Sequence, residues 1–357
     1  MSQINTNAIL DASGGTTATV NGFAPTASNM AGRNRIINGD MRIDQRNNGA
    51  AVTTSGAFPV DRFLQSVTGG EVAISSQQDS SAPTGFVNST KITITTAEVS
   101  VGADDRVAFQ HRIEGTNVAD LAWGTANAKT VTLSFWVRSS LTGTFGGVLR
   151  NSANNRSYPF TYTISVADTW EQKSVTIPGD TTGTWLTTTG TGIVINFSLM
   201  AGTNFVGTAD AWAAAGVQGA TGQVQLATTL NATWYITGVQ LEAGSVATPF
   251  EHRQYGQELA LCQRYYYAAA GVNYPAFHYS SSAYTTVMLP VTMRATPTVT
   301  STGQGTNYYE AGNVYTFSVE NWVGSNPQSV SLQGIVTGGT NGFAGTFYPI
   351  FQASAEL

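Results

Sequence analysis

The chain has 357 residues, enough for two ordinary domains or one large one, and its apolar fraction of 41% suffices for packed cores. Charged residues are only 10%, against about a quarter in a typical soluble domain. A net charge of −5 with three lysines, Lys91, Lys129 and Lys173, excludes duplex nucleic acid as a partner, because counterion release needs several cations gathered on one surface.

No apolar run approaches the roughly 20 residues that span a bilayer, so no membrane insertion is expected. The opening MSQINTNAIL has neither the basic start nor the apolar core of a signal peptide, which points to synthesis in the cytosol. A single cysteine, Cys262, excludes an intramolecular disulfide framework, and its neighbours Leu259, Leu261 and Tyr265 mark it as a small buried apolar side chain.

Residues 1–33 are rich in Gly, Ala, Thr and Asn, with isolated Ile9, Leu10, Val20 and Phe23, and cannot build a core alone. They are expected to form an extended arm that orders by wrapping a partner or sister subunits. From Arg33 onward Ile36, Met41, Ile43, Phe58, Val60 and Phe63 are interleaved with arginines, and Asn38-Gly39-Asp40 reads as a turn that introduces the first strand. Arg33, Arg35, Arg42 and Arg46, with Asp40, Asp44 and Asp61, are read as ion pairs fixing the arm to the first domain or to adjacent subunits, since Arg suits bidentate, partly buried pairing.

Alternation of Val131, Leu133, Phe135 and Val137 predicts a buried strand. Further strands are predicted at 168–177, 193–199 and 234–241, the last as a closing strand with Trp234, Ile236 and Gly238 on one face. Their regular spacing predicts a sandwich of about eight or more strands over 34–250. Trp136, Trp170 and Trp234 lie in strand patterns and are assigned to the core. Trp185 and Trp212, in loop-like TTGTWLTTTG and TADAWAAAG, are candidates for a sugar-binding surface, because flat apolar side chains stack on sugar rings.

Gly244 and Pro249 break the closing strand, and Gln254 to Gln263 predicts a short helix within a hinge at 251–267. Tyr255, Leu259, Cys262 and Tyr266 are placed on one side of it. The Tyr265-Tyr266-Tyr267 run needs burial that a helix of about ten residues does not supply, a motive for a homotrimer. A small β domain then fills 268–357, with strands inside 284–299 and at 314–320, 329–336 and 345–353. Tyr308, Tyr309 and Trp322, in turn-rich GTNYYEAG and ENWVGSN, are expected at aromatic loop tips that either contact a binding target or pack against sister subunits.

Chemistry is less prominent. His111, His252 and His278 have no metal-ligand spacing. Glu114, Asp120, Glu171 and Asp210 come with no catalytic motif that would pair them. The expectation is a binding protein with no cofactor and no metal, rather than an enzyme.

Several segments carry a resemblance. The run Asn34 to Met41 resembles the opening of jelly-roll carbohydrate-binding modules of families 4 and 9; Val131 to Arg138, Asp168 to Ile177 and the last two strands look like their core strands. In those modules an acidic pair often follows an aromatic residue in the final strand, whereas Thr237 and Gly238 stand here. Leu261 to Tyr266 and Leu289 to Val299 match an order that recurs in bacteriophage tail fibres. The resemblance implies a virion protein held to other tail proteins (baseplate, adaptor or nozzle) through its N-terminal arm. It also implies a homotrimer that binds a host cell-surface glycan. A structural adaptor or head-decoration fibre, and a tailspike depolymerase, are the competing expectations.

Overall fold

The computed structural model describes residues 32–269, 274–303, 307–340, 342–347 and 350–357, with backbone alone for 301–303, 307, 316–325, 347 and 350. The N-terminal arm, apart from Gly32 and Arg33, lies outside the described residues.

Strands alternate with Gly, Asn and Asp turns along the first two thirds of the chain. They are β1 (Phe63–Thr68), β2 (Ala73–Asp79), β3 (Ser89–Thr96), β4 (Arg106–Glu114) and β5 (Val131–Ser139). There follow β6 (Gly143–Arg150), β7 (Ser157–Ile164), β8 (Glu171–Ile177), β9 (Thr191–Ala201), the short β10 (Val206–Gly207) and β11 (Gly219–Ala220), and β12 (Thr233–Ala243). Two five-stranded antiparallel sheets result, ordered β1-β4-β9-β6-β7 and β2-β3-β12-β5-β8. They form a jelly-roll sandwich.

The core between the sheets is aromatic. Phe135 of β5 sits 5.0 Å from both Tyr162 of β7 and Phe197 of β9, and Trp234 of β12 sits 6.0 Å from Phe109 of β4. Edge-to-face geometry at these separations adds to the area buried. The buried indole N–H of Trp234 donates to the Tyr162 hydroxyl at 3.2 Å, so its one polar atom is satisfied.

No strand begins at the Asn38-Gly39-Asp40 turn; among the described residues the first begins at Phe63. Residues 34–41 instead lie against a bulge in β12, where pairing with β5 shifts between Thr237 and Gln240. Val239 N–H donates to Gly39 O at 2.9 Å, Asn34 Nδ2 donates to Val239 O at 3.1 Å, and Arg35 N–H donates to Leu241 O at 2.9 Å. The polar backbone here is satisfied partly by these bonds to β12 and partly by side chains, as where Asn38 Nδ2 donates to Ile43 O and Asp61 O.

Helix α1 (Tyr255–Gln263) follows, where the pattern predicted it. Cys262 is buried with Ile37, Ile43 and Tyr265, and Tyr266 is buried as well, but Tyr255 is 56% exposed. Tyr255 therefore does not share the buried side: it opens the first turn and faces solvent.

The remaining strands are β13 (Tyr266–Ala269), β14 (Tyr274–Tyr279), β15 (Ser282–Met288), β16 (Thr298–Gly303) and β17 (Asn307–Glu310). Last come β18 (Asn313–Asn326), β19 (Ser329–Thr337), β20 (Ala344–Phe347) and β21 (Ile350–Ser354). Six of them close a barrel, β14-β15-β19-β18-β17-β20, and β13-β21-β16 form a small separate sheet.

Candidate functional site

The two outer faces of the sandwich differ. That of the β1-β4-β9-β6-β7 sheet is covered by the 203–228 loop: Asn196 Nδ2 donates to Gln218 O at 2.7 Å, and Gln223 Nε2 to Ser198 Oγ at 2.8 Å. The outer face of the β2-β3-β12-β5-β8 sheet is only partly covered: Thr237 Oγ1 donates to Asn88 O and Thr132 Oγ1 to Gly244 O, whereas Lys91, Trp136 and Arg138 are half-buried and Gln172 is exposed. Strand alternation sends Val131, Leu133, Phe135 and Val137 inward and Ser134, Trp136 and Arg138 outward. Trp136 stands opposite Thr237 on one neighbour and Gln172 on the other.

Two loops wall this face. Phe86 from the loop before β3 and Phe250 and His252 from the loop after β12 form a ring cluster, with centroids 5.1 Å, 5.3 Å and 4.9 Å apart. With Trp136, Gln172 and Thr248 they line a cleft of about 490 Å³. Gly238 makes the approach possible. Its φ is +63°, and a Cβ there would stand 2.7 Å from Phe86 Cζ and 3.0 Å from Trp136 Cδ1. Half-buried aromatic planes beside the exposed Gln172 amide are a surface on which a sugar ring can stack and hydrogen-bond.

One row along the strands, Tyr235 lies directly between Lys91 of β3 and Arg138 of β5. Both cations lean over its ring, at 5.7 Å and 4.8 Å, and Trp170 meets it edge-on at 6.1 Å.

The residues singled out in the sequence fall elsewhere. Trp185 is buried, enclosed by Trp123 at 4.7 Å and Trp212 at 5.6 Å, with its indole N–H directed to Asp180 and Thr182 O. Its glycine- and threonine-rich setting looks like an exposed loop, but the side chain turns inward to complete a tryptophan cluster. Trp212 is half-buried on that cluster and donates to Pro178 O at 2.9 Å. Tyr308 is fully buried in the barrel, in β17 rather than at a loop tip, because the turn closes at Ala311 and Gly312. Tyr309, next in the strand, is 39% exposed. Trp322 is in β18, and its side chain lies outside the described residues. Trp136, assigned to the core by its strand pattern, faces outward.

The arginines form contacts within the chain. Arg33 donates to Pro249 O at 3.3 Å, Arg35 pairs with Asp120 at 2.8 Å, and Arg42 pairs with Asp40 and donates to Arg253 O. Arg46 pairs with Asp61 at 3.1 Å and Glu356 at 2.8 Å while its guanidinium lies 3.5 Å over the Tyr266 ring. Arg62 also pairs with Glu356 and stacks 3.5 Å over Tyr265. Asp61 is buried, and burial outweighs the lowering effects of Arg46 and Gln45, so its pKa is raised to about 6. This junction ties residues 42–62, the sandwich, the segment after α1 and residues 355–357 together.

Among the candidate acids, Glu114 is bound by Arg264 and Tyr265, Asp120 by Arg35, and Glu171 by Lys173. Among the described residues no three His, Cys, Asp or Glu side chains gather as a metal site would need. No helix there is long and apolar enough to cross a membrane.

No protein-family model and no curated protein matches the chain. Among solved structures, the enzymatically active domain of tailspike protein 4 of bacteriophage CBA120 is similar at 14% identity and a TM-score of 0.33, over 59% of this chain and 21% of that one. The chain therefore spans about a fifth of the tailspike chain. A CBM4 structure is similar at 14% identity and a TM-score of 0.28, over 58% of this chain and 98% of that one. The family 11 carbohydrate-binding module of a Clostridium thermocellum cellulosomal cellulase is similar at 12% identity and a TM-score of 0.29, over 58% and 100%. The jelly-roll assignment rests on the strand order of the two sheets.

Proposed function

We propose that this chain is a carbohydrate-binding protein of a bacteriophage tail fibre, which attaches to a host cell-surface glycan by binding rather than by cleaving it. The observation that carries the reading is the cleft on the partly open face, where Phe86, Trp136, Phe250 and His252 converge beside Gln172 and Thr248. The tail-fibre context is supported by the resemblance in 261–266 and 289–299. These two segments meet in the fold: Arg294 N–H donates to Arg264 O at 2.8 Å.

In this reading the protein resides in the virion tail as a homotrimer, held through its N-terminal arm by other tail proteins. Three copies presented together convert weak sugar contacts into firm attachment through effective concentration. Incubation with host envelope polysaccharide tests it. Retention of the protein without release of reducing sugar is the expected result; release of sugar oligomers would make the chain a depolymerase instead.

A second reading is favoured by the barrel. Phe277, Tyr279, Tyr284 and Met288 are between 43% and 68% exposed on neighbouring strands β14 and β15, and Phe277 stands directly opposite Tyr284. Such a patch suits contact with another protein, as a structural adaptor or head-decoration fibre would make.

A further inference from the structure

We propose that the Lys91–Tyr235–Arg138 row binds the carboxylate of an acidic sugar, so that the partly open face takes a uronate-containing polysaccharide in preference to a neutral one. This rests on the carbohydrate-binding reading above and names its substrate class.

The row is built by register. Tyr235 pairs with Lys91 on one side and Arg138 on the other, and all three point to the outer face. The chain has three lysines and a net charge of −5, so two cations over one tyrosine on the partly open face run against its overall balance. Among the described residues Lys91 has no acidic partner, and its ammonium lies over the Tyr235 ring. Arg138 is held at one end by the Ser81 hydroxyl, which accepts from Nη1 at 3.0 Å.

Two acids lie nearby and neither neutralises the row. Asp168 stands 3.6 Å from Arg138 Nη2 with 59% of its side chain exposed, a long and solvent-screened pair. Asp79 accepts from the Ser81 backbone N–H at 2.8 Å. A ligand carboxylate could displace Asp168 from Arg138 at little cost and gain Lys91 as a second partner, with charge-assisted hydrogen bonds to both.

Position along the face completes the site. Tyr235 precedes Thr237 by two residues and Arg138 follows Trp136 by two on the antiparallel neighbour, and the two rows are one pleat apart, roughly 7 Å. That separation puts an anion on the cations while the same chain of sugars stacks on Trp136 in the aromatic cleft. The ligand is thus a polymer carrying carboxylates on or next to the stacked residue.

The test measures retention of the full-length protein in gels containing polygalacturonate, alginate or hyaluronan, each beside its methyl-esterified form, and beside neutral dextran and β-glucan. The expected result is retention by at least one acid polymer, weakened about tenfold by esterification and by the pair Lys91→Gln with Arg138→Gln. Lys91→Gln alone, which leaves Arg138 and its Ser81 contact in place, is expected to weaken retention in the same direction with an unchanged melting temperature. Retention confined to neutral polymers, or acid-polymer binding that survives both substitutions, would overturn this inference and leave the carbohydrate-binding reading standing. No retention by any of these polymers would also overturn this inference, and a further failure to bind host envelope polysaccharide would overturn the carbohydrate-binding reading with it.

Discussion

Arg264 and Glu114 meet at two points, Nη2 to Oε1 at 2.6 Å and Nε to Oε2 at 3.0 Å, and so join the segment after α1 to the fourth strand of the sandwich. Tyr265 adds its hydroxyl to Oε2 at 2.7 Å. Burial alone would raise the Glu114 pKa; the hydrogen bonds from Arg264 and Tyr265 outweigh it, and the carboxyl ends below its ordinary value. Arg264→Ala leaves this carboxylate buried and without its cation. The expected loss is about 3 kcal/mol, the low end for breaking a buried pair because Arg264 keeps about a third of its exposure. Chemical denaturation checks it; a loss no larger than that of an exposed surface arginine would remove the junction from the stability of the chain.

Gly238 predicts a coupling between backbone and cleft. Gly238→Ala places a Cβ at a φ of +63° and against Phe86 and Trp136. It should cost about 1–2 kcal/mol in stability from the left-handed backbone. Polysaccharide retention should fall as well, because the two rings must separate. A melting curve and an affinity gel on the same variant check both halves.

Much of the sandwich was legible in the sequence, and the cleft was partly so. The period-two run that places Phe135 inward also requires Trp136 to face outward, so this residue could have been found by counting from its neighbours. Phe86, Phe250 and His252 could not, since they lie in separate loops and meet only because β3, β12 and β5 are adjacent. Trp185 and Tyr308 misled for one reason. Glycine, threonine and asparagine nearby mark the turn, whereas burial depends on which way the next side chain points.

Tyr308 therefore predicts a stability effect rather than a binding effect. It is fully buried among the barrel's apolar residues, 6.4 Å from Tyr315 and 5.8 Å from His278. Tyr308→Ala should destabilise the barrel by about 3–5 kcal/mol, the range for a large aromatic removed from a core. Tyr309→Ala, at a partly exposed neighbouring position, should cost far less. Hydrogen exchange over β14 to β20 separates the two.

The buried Asp61 sets a pH dependence. Its pKa rises from 3.8 to about 6 on folding, chiefly through burial, so the folded chain holds this proton more tightly than the unfolded one. The stability it contributes is fully present below pH 3.8 and is lost as pH rises through about 6. Carboxyls held low, such as Glu114 and Asp180, contribute with the opposite sign, so the measurement is a difference. Between these pH values the stability of the native chain should fall relative to that of Asp61→Asn, by denaturant titration at a series of pH values. A constant difference would place the Asp61 proton elsewhere.

The most direct measurement compares retention of three proteins in gels containing host envelope polysaccharide: the native chain, Trp136→Ala, and the barrel pair Phe277→Ser with Tyr284→Ser. All three should melt alike, because the altered side chains lie outside the two cores. Retention of the native chain and the barrel variant, with a loss of roughly tenfold or more for Trp136→Ala, is the predicted result. Equal retention of Trp136→Ala and the native chain, with loss in the barrel variant, would contradict the account and move attachment to the barrel.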